Sequence, residues 1–191
     1  MRRLVGPVAA AVVCVASCGN ATPGSGPQGT AFVSGTIGDV EFTPEDAIAA
    51  YDPSAQPGQP RVEVLITNMT GTCGFGSQGV LPTNFAAVAL FVGSAVPGTY
   101  AYVLSNHPSP PSGVSGLSPL NGLYVAHSDN AEEPMAGGTI ILGTVNAENI
   151  SGSFDITFIN TGEHLLGTFS APVCGTALRN VLSAISNSTY H

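Results

Sequence analysis

The most regular pattern in the chain is a two-residue alternation near its C-terminal end, where Phe154, Ile156 and Phe158 share one face and Asp155 and Thr157 the other. Alternation of this period, bounded by turn residues, predicts half-buried strands. The same criterion predicts strands over Ala31 to Phe42, Arg61 to Asn68, Ala86 to Val92, Thr99 to Ser105, Leu123 to Ser128, Gly138 to Asn146, Ile150 to Ile159 and His164 to Ala171. Only NAEN and NTGE separate the last three, which is short enough for hairpins, so an antiparallel meander is predicted there.

Two segments depart from that period. TPEDAIAAY places Thr43 at an N-cap, Pro44 at the first helical position and acids in the first turn, which predicts a short helix. Leu178, Val181, Leu182 and Ile185 recur at helical spacing and predict a second helix lying over one mouth of the strands. The Pro/Ser/Gly segment from Ser105 to Asn121 is longer than an ordinary connection, and its role is not legible. Many strands with little helix predict an all-β fold, an antiparallel β-sandwich; a partly closed barrel of the same strands is the alternative.

The N-terminus follows different rules. Arg2 and Arg3 precede an apolar run from Leu4 to Ala16, followed by small residues and Cys18. That layout is a secretory signal peptide, and the run falls short of the roughly 20 residues a membrane-spanning helix needs. Val15-Ala16-Ser17-Cys18 resembles the lipobox of bacterial lipoproteins, in which the cysteine is acylated and becomes the mature N-terminus. The resemblance implies cleavage after residue 17, lipidation (palmitate among the acyl chains) at Cys18, and a membrane partner reached through the anchor. Several acyl chains on one residue hold a protein stably at a bilayer. Residues 18 to 30 then read as anchor and flexible linker, and 31 to 191 as a single β-sandwich domain. Gly19 follows the cysteine where aspartate would retain a lipoprotein at the inner membrane, so the resemblance favours the outer membrane. From Phe42 onward, ITN…C, PGTY, GTI, GSFD and GTFSAPVC resemble a group of uncharacterised β-rich lipoproteins of myxobacterial type. These motifs are structural, and the likeness implies no catalytic residue.

Composition narrows the function. Against 12 acidic residues the chain has four arginines and no lysine, for a net charge of -8. Loss of Arg2 and Arg3 with the signal would leave only Arg61 and Arg179 as basic side chains. Nucleic-acid binding needs clustered basic residues to displace phosphate counterions, so that class is excluded. Cys14 leaves with the signal and Cys18 takes lipid, which leaves Cys73 and Cys174 as an even pair in an exported domain. The simplest reading is a disulfide closing a loop of about 100 residues, stabilising by roughly 4 to 5 kcal/mol in the chain-entropy model. Two buried free thiols are the other reading.

Candidate chemistry is sparse. HSDNAEEP, residues 127 to 134, sets Ser128 and Asp129 beside His127, but no serine has the G-x-S-x-G spacing that presents a nucleophile. The same loop offers Asp129, Asn130, Glu132 and Glu133 as hard oxygen ligands for calcium, without EF-hand spacing. His164 follows Glu163 at a turn and reads as a solvated pair. Tyr100 and Tyr102 share a strand face, as a glycan platform would require, although tyrosines in apolar strands more often serve the core. The expected role is therefore non-enzymatic, in envelope structure, adhesion or ligand binding, with a protein or glycan partner left open. The alternatives are an exported hydrolase whose site assembles in space, with His127 or His164 as base, and a calcium-stabilised or glycan-binding module.

Overall fold

The computed structural model describes residues 26–37, 40–57, 59–76, 84–102, 120–126 and 131–188. Ten strands and two helices follow in the order β1 (Thr30–Ile37), β2 (Val40–Glu41), β3 (Asp46–Tyr51), β4 (Val62–Thr67), α1 (Thr72–Gly76), β5 (Ala86–Val92), β6 (Gly98–Ala101), β7 (Leu120–Ala126), β8 (Ala131–Val145), β9 (Asn149–Phe158), β10 (His164–Pro172) and α2 (Gly175–Ser188). They form an all-β antiparallel sandwich of two sheets. The first runs β2-β1-β10-β9-β8, with β6 also paired to β8, and the second runs β8-β7-β5-β4-β3. The predicted C-terminal meander is the centre of the first sheet.

Strand β8 belongs to both sheets. Ala131 to Pro134 pair with β7, and Met135 to Val145 pair with β9. The turn from one sheet to the other falls at a bulge between Met135 and Gly137, followed by Gly138 at φ 132°. A side chain at Gly138 would collide with the Asp155 carbonyl, so only glycine lets the strand bend there. On the other side of the sandwich a single parallel bridge, Ala49 to Val173, joins β3 to the end of β10. The Cys174 N–H extends this join by donating to the Ala49 carbonyl at 2.7 Å. The sheets thus meet at one shared strand and one bridge, which is a sandwich and not a closed barrel.

Burial explains why the strands look different in sequence. In β1 and β10 buried and exposed positions alternate, because one face packs inward and the other meets solvent. In β3, β4 and β5 nearly every position is buried. Their inner faces (Ala47, Ala49, Val62, Val64, Ile66, Val88 and Leu90) meet Val33, Ile156, Leu165 and Phe169 of the first sheet. Their outer faces (Ile48, Ala50, Leu65, Ala87 and Ala89) are covered by Leu178, Val181 and Ile185 of α2. Each fully buried side chain of this size stabilises by about 1.5 to 3 kcal/mol. Helix α2 therefore forms where its spacing predicted, but it lies over a sheet face instead of a mouth.

Two expectations need correction. DAIAAY is not a helix: Asp46 to Tyr51 form β3, buried on both sides, and the tertiary environment overrides alanine's helical preference. Its alanines suit the position, because small side chains let β3 approach both α2 and the first sheet. Part of the supposed polar loop HSDNAEEP is also strand, since Glu132, Glu133 and Pro134 are the start of β8. Proline is tolerated there because the adjacent bulge interrupts the ladder.

Candidate functional site

Among the described residues, the histidine, acids and tyrosines singled out in sequence do not converge. Cys18, His127, Ser128, Asp129 and Asn130 lie outside the described residues, as do residues 105 to 119 of the long loop. Glu132 is described only as backbone, while Glu133 reaches the β9–β10 turn, its Oε2 accepting from the Asn160 N–H at 3.3 Å. Among the described residues no three His, Cys, Asp or Glu side chains are grouped as metal ligands would be. His164 does not pair with Glu163. Its Nε2 is hydrogen bonded to Asp155 Oδ1 at 2.5 Å, while Glu163 accepts from the Thr36 hydroxyl. The pair is 48% and 64% exposed, on an open sheet face and not in a cleft. Tyr100 is a core residue whose hydroxyl donates to the Val96 carbonyl at 2.6 Å.

The two remaining cysteines do come together. Cys73 at the start of α1 and Cys174 just before α2 lie at disulfide distance, with Cα atoms 5.7 Å apart across 101 residues of sequence. Beside them is a polar centre that sequence reading assigned to the wrong helix. Asp46 is fully buried; its Oδ1 accepts the N–H groups of Gly29 and Ala47 at 2.7 and 2.8 Å, and its Oδ2 accepts that of Thr72 at 2.8 Å. The carboxylate does meet a helix N-terminus, but it is that of α1.

The cleft with most chemistry lies at the opposite end of β3. After Tyr51 the ladder continues for one bond, Asp52 N–H to the Arg61 carbonyl at 2.9 Å, and the chain then turns away. The Asp52 carboxylate organises that turn by accepting from the Ser54 N–H at 3.1 Å and the Ser54 hydroxyl at 2.7 Å. Helix α2 contributes Arg179, whose guanidinium lies 3.6 Å from Asp52 Oδ2. Strand β4 contributes Glu63, in register between Ala50 of β3 and Phe91 of β5. With Ser54, Gln56 and Gln59 these side chains line a cavity of about 410 Å³.

The two carboxyls are driven in opposite directions. The Ser54 hydroxyl holds Asp52 below its ordinary value, and the Ser54 N–H and Arg179 act the same way. Burial pushes Glu63 up, and the Asp52 charge adds to that while Arg179 partly offsets it. Glu63 Oε2 is buried with no hydrogen-bond partner. The cleft therefore holds one carboxylate already compensated and one carboxyl that still lacks a donor. Sequence reading passed over Glu63, although a lone charge within VEVLIT, an otherwise apolar run buried on both faces, is a legible anomaly.

Fold and cleft together define a class: an all-β antiparallel sandwich whose second sheet is roofed by a helix and ends in a polar cavity. No family model, curated protein or solved structure is significantly similar to this chain.

Proposed function

We propose that the chain is an exported lipoprotein, anchored through Cys18 in the cell envelope and preferentially in the outer membrane, whose sandwich domain works by binding a ligand and not by catalysis. The observation that carries the exported reading is the Cys73–Cys174 pair, because side chains set at disulfide distance across so long a loop suit an oxidising compartment. The lipobox-like VASC supports the anchor. Binding is favoured over catalysis by the mixture of donors and acceptors in the cavity and by the open placement of the His164–Asp155 pair.

A non-reducing intact mass of the protein from its host's membrane fraction tests this reading. The expected species starts at Cys18, is heavier by its acyl groups and lighter by the two hydrogens of the disulfide. An unacylated soluble chain would remove the anchor, and two free thiols would remove the oxidising compartment.

A further inference from the structure

We infer that the cleft between Asp52, Glu63 and Arg179 is a binding site for a small organic cation carrying a primary ammonium group. This deepens the ligand-binding part of the proposed function and does not depend on the lipid anchor. The first ground is the position of Glu63. It occupies a row between Ala50 and Phe91 on the helix-covered face, where an apolar side chain would complete the packing. Instead its Oε2 is buried without a donor, an arrangement that costs free energy unless something supplies one.

The second ground is charge. Asp52 is compensated by Arg179 and the Ser54 donors, whereas Glu63 feels Arg179 only at a distance and pairs directly with no cation. One positive charge bearing N–H donors therefore completes the site, and an anion would meet two carboxyl groups. Cavity size points the same way, since about 410 Å³ is at the small end for ligand pockets and suits a small molecule. Its polar remainder would find Gln56 and Gln59, whose amides both donate and accept. A calcium ion fits less well: it takes six to eight oxygen ligands, and here one of two carboxylates is already held by an arginine. The whole chain assists, because a net charge of -8 with no lysine draws cations toward it.

The test is calorimetric titration of the oxidised full chain at neutral pH in about 0.15 M salt. Butylamine, putrescine and glucosamine are the probes, with butanol as the uncharged control. Saturable binding of at least one amine with Kd of about 1 mM or tighter, and none of butanol, is expected. Glu63→Gln, which keeps shape and removes charge, should weaken binding about tenfold or more. Arg179→Met, which leaves Asp52 without its paired cation, should tighten it. Absence of saturable binding by every amine up to about 10 mM overturns the proposal. So does equal binding in Glu63→Gln, loss of binding in Arg179→Met, or tighter binding of calcium chloride than of any amine. None of these outcomes touches the acylation measured by mass, so the two readings fail separately.

Discussion

Replacing Asp46 tests how the structured body is fastened to the segment that enters it. Its carboxylate is wholly buried and accepts three backbone N–H groups, from Gly29, Ala47 and Thr72, at 2.7 to 2.8 Å. Hydrogen bonds to a charged acceptor contribute roughly 1.5 to 3 kcal/mol each, and their loss leaves buried donors unpaired. The three are not additive, since Ala47 is the next residue and its bond is local. Asp46→Ala is therefore expected to cost about 3 to 6 kcal/mol, a large part of the roughly 5 to 15 kcal/mol that holds a domain folded. Asp46→Asn separates hydrogen bonding from volume. One oxygen can still serve Gly29 and Ala47, but an amide NH₂ would then face the Thr72 N–H, so an intermediate cost of about 2 to 3 kcal/mol is expected. Urea midpoints followed by circular dichroism measure both costs, and amide exchange at Gly29 and Thr72 should accelerate beyond the global change. A cost below about 1 kcal/mol for the alanine variant would refute the reasoning, as would an asparagine variant no better than alanine.

Three further outcomes follow from the same geometry. The Cys73→Ser, Cys174→Ser double variant should lose about 4 to 5 kcal/mol under oxidising conditions by the chain-entropy model, and an unchanged urea midpoint would mean that the thiols are not bonded. Gly138→Ala should cost about 2 to 4 kcal/mol in the same assay, because φ 132° and the Asp155 carbonyl both exclude a side chain; a loss under about 0.5 kcal/mol would contradict the bend described for β8. Burial raises the Glu63 carboxyl, so the native state keeps its proton to higher pH than the unfolded chain does. Its stabilising share is full below the ordinary carboxylate range and is lost as pH rises through the raised value. Melting of Glu63→Gln beside the parent should show the variant gaining relative stability as pH rises above the ordinary carboxylate range, and parallel curves would remove the assigned cause.

The first sheet was legible because one of its faces is wet. Solvent on one side imposes period two on β1, β9 and β10; β9 and β10 emerge from the pattern almost residue for residue, whereas the single strand predicted over Ala31 to Phe42 is two, β1 and β2, paired antiparallel. The second sheet lost that signal by being covered twice. Val62 to Thr67 and Ala86 to Val92 still read as strands through their β-branched and apolar content, but the small residues of β3 carried helix propensity and capping chemistry instead. The acids and proline of AEEP concealed the start of β8 for a related reason, since strand statistics disfavour them and only the bulge accommodates them. Site residues divide the same way. Cys73 and Cys174 could be paired by counting, whereas Asp52, Glu63 and Arg179 meet only because β3 and β4 are neighbours and α2 folds back over them.

That arrangement also relates the cleft to the proposed anchor. Gly29 is fastened to Asp46 at the beginning of β3, and Asp52 opens the cleft just past its end. Six residues at about 3.3 Å each separate the two by roughly 15 to 20 Å. A chain tethered through Cys18 would thus be held at the Asp46 end, with the cavity displaced along β3 from the point of attachment. The carboxyl groups would also stand away from lipid headgroups, whose negative charge would otherwise repel a net-acidic domain. In a chain anchored in that way, the same strand that was hardest to read in the sequence would set both the point of attachment and the distance at which the cleft is presented.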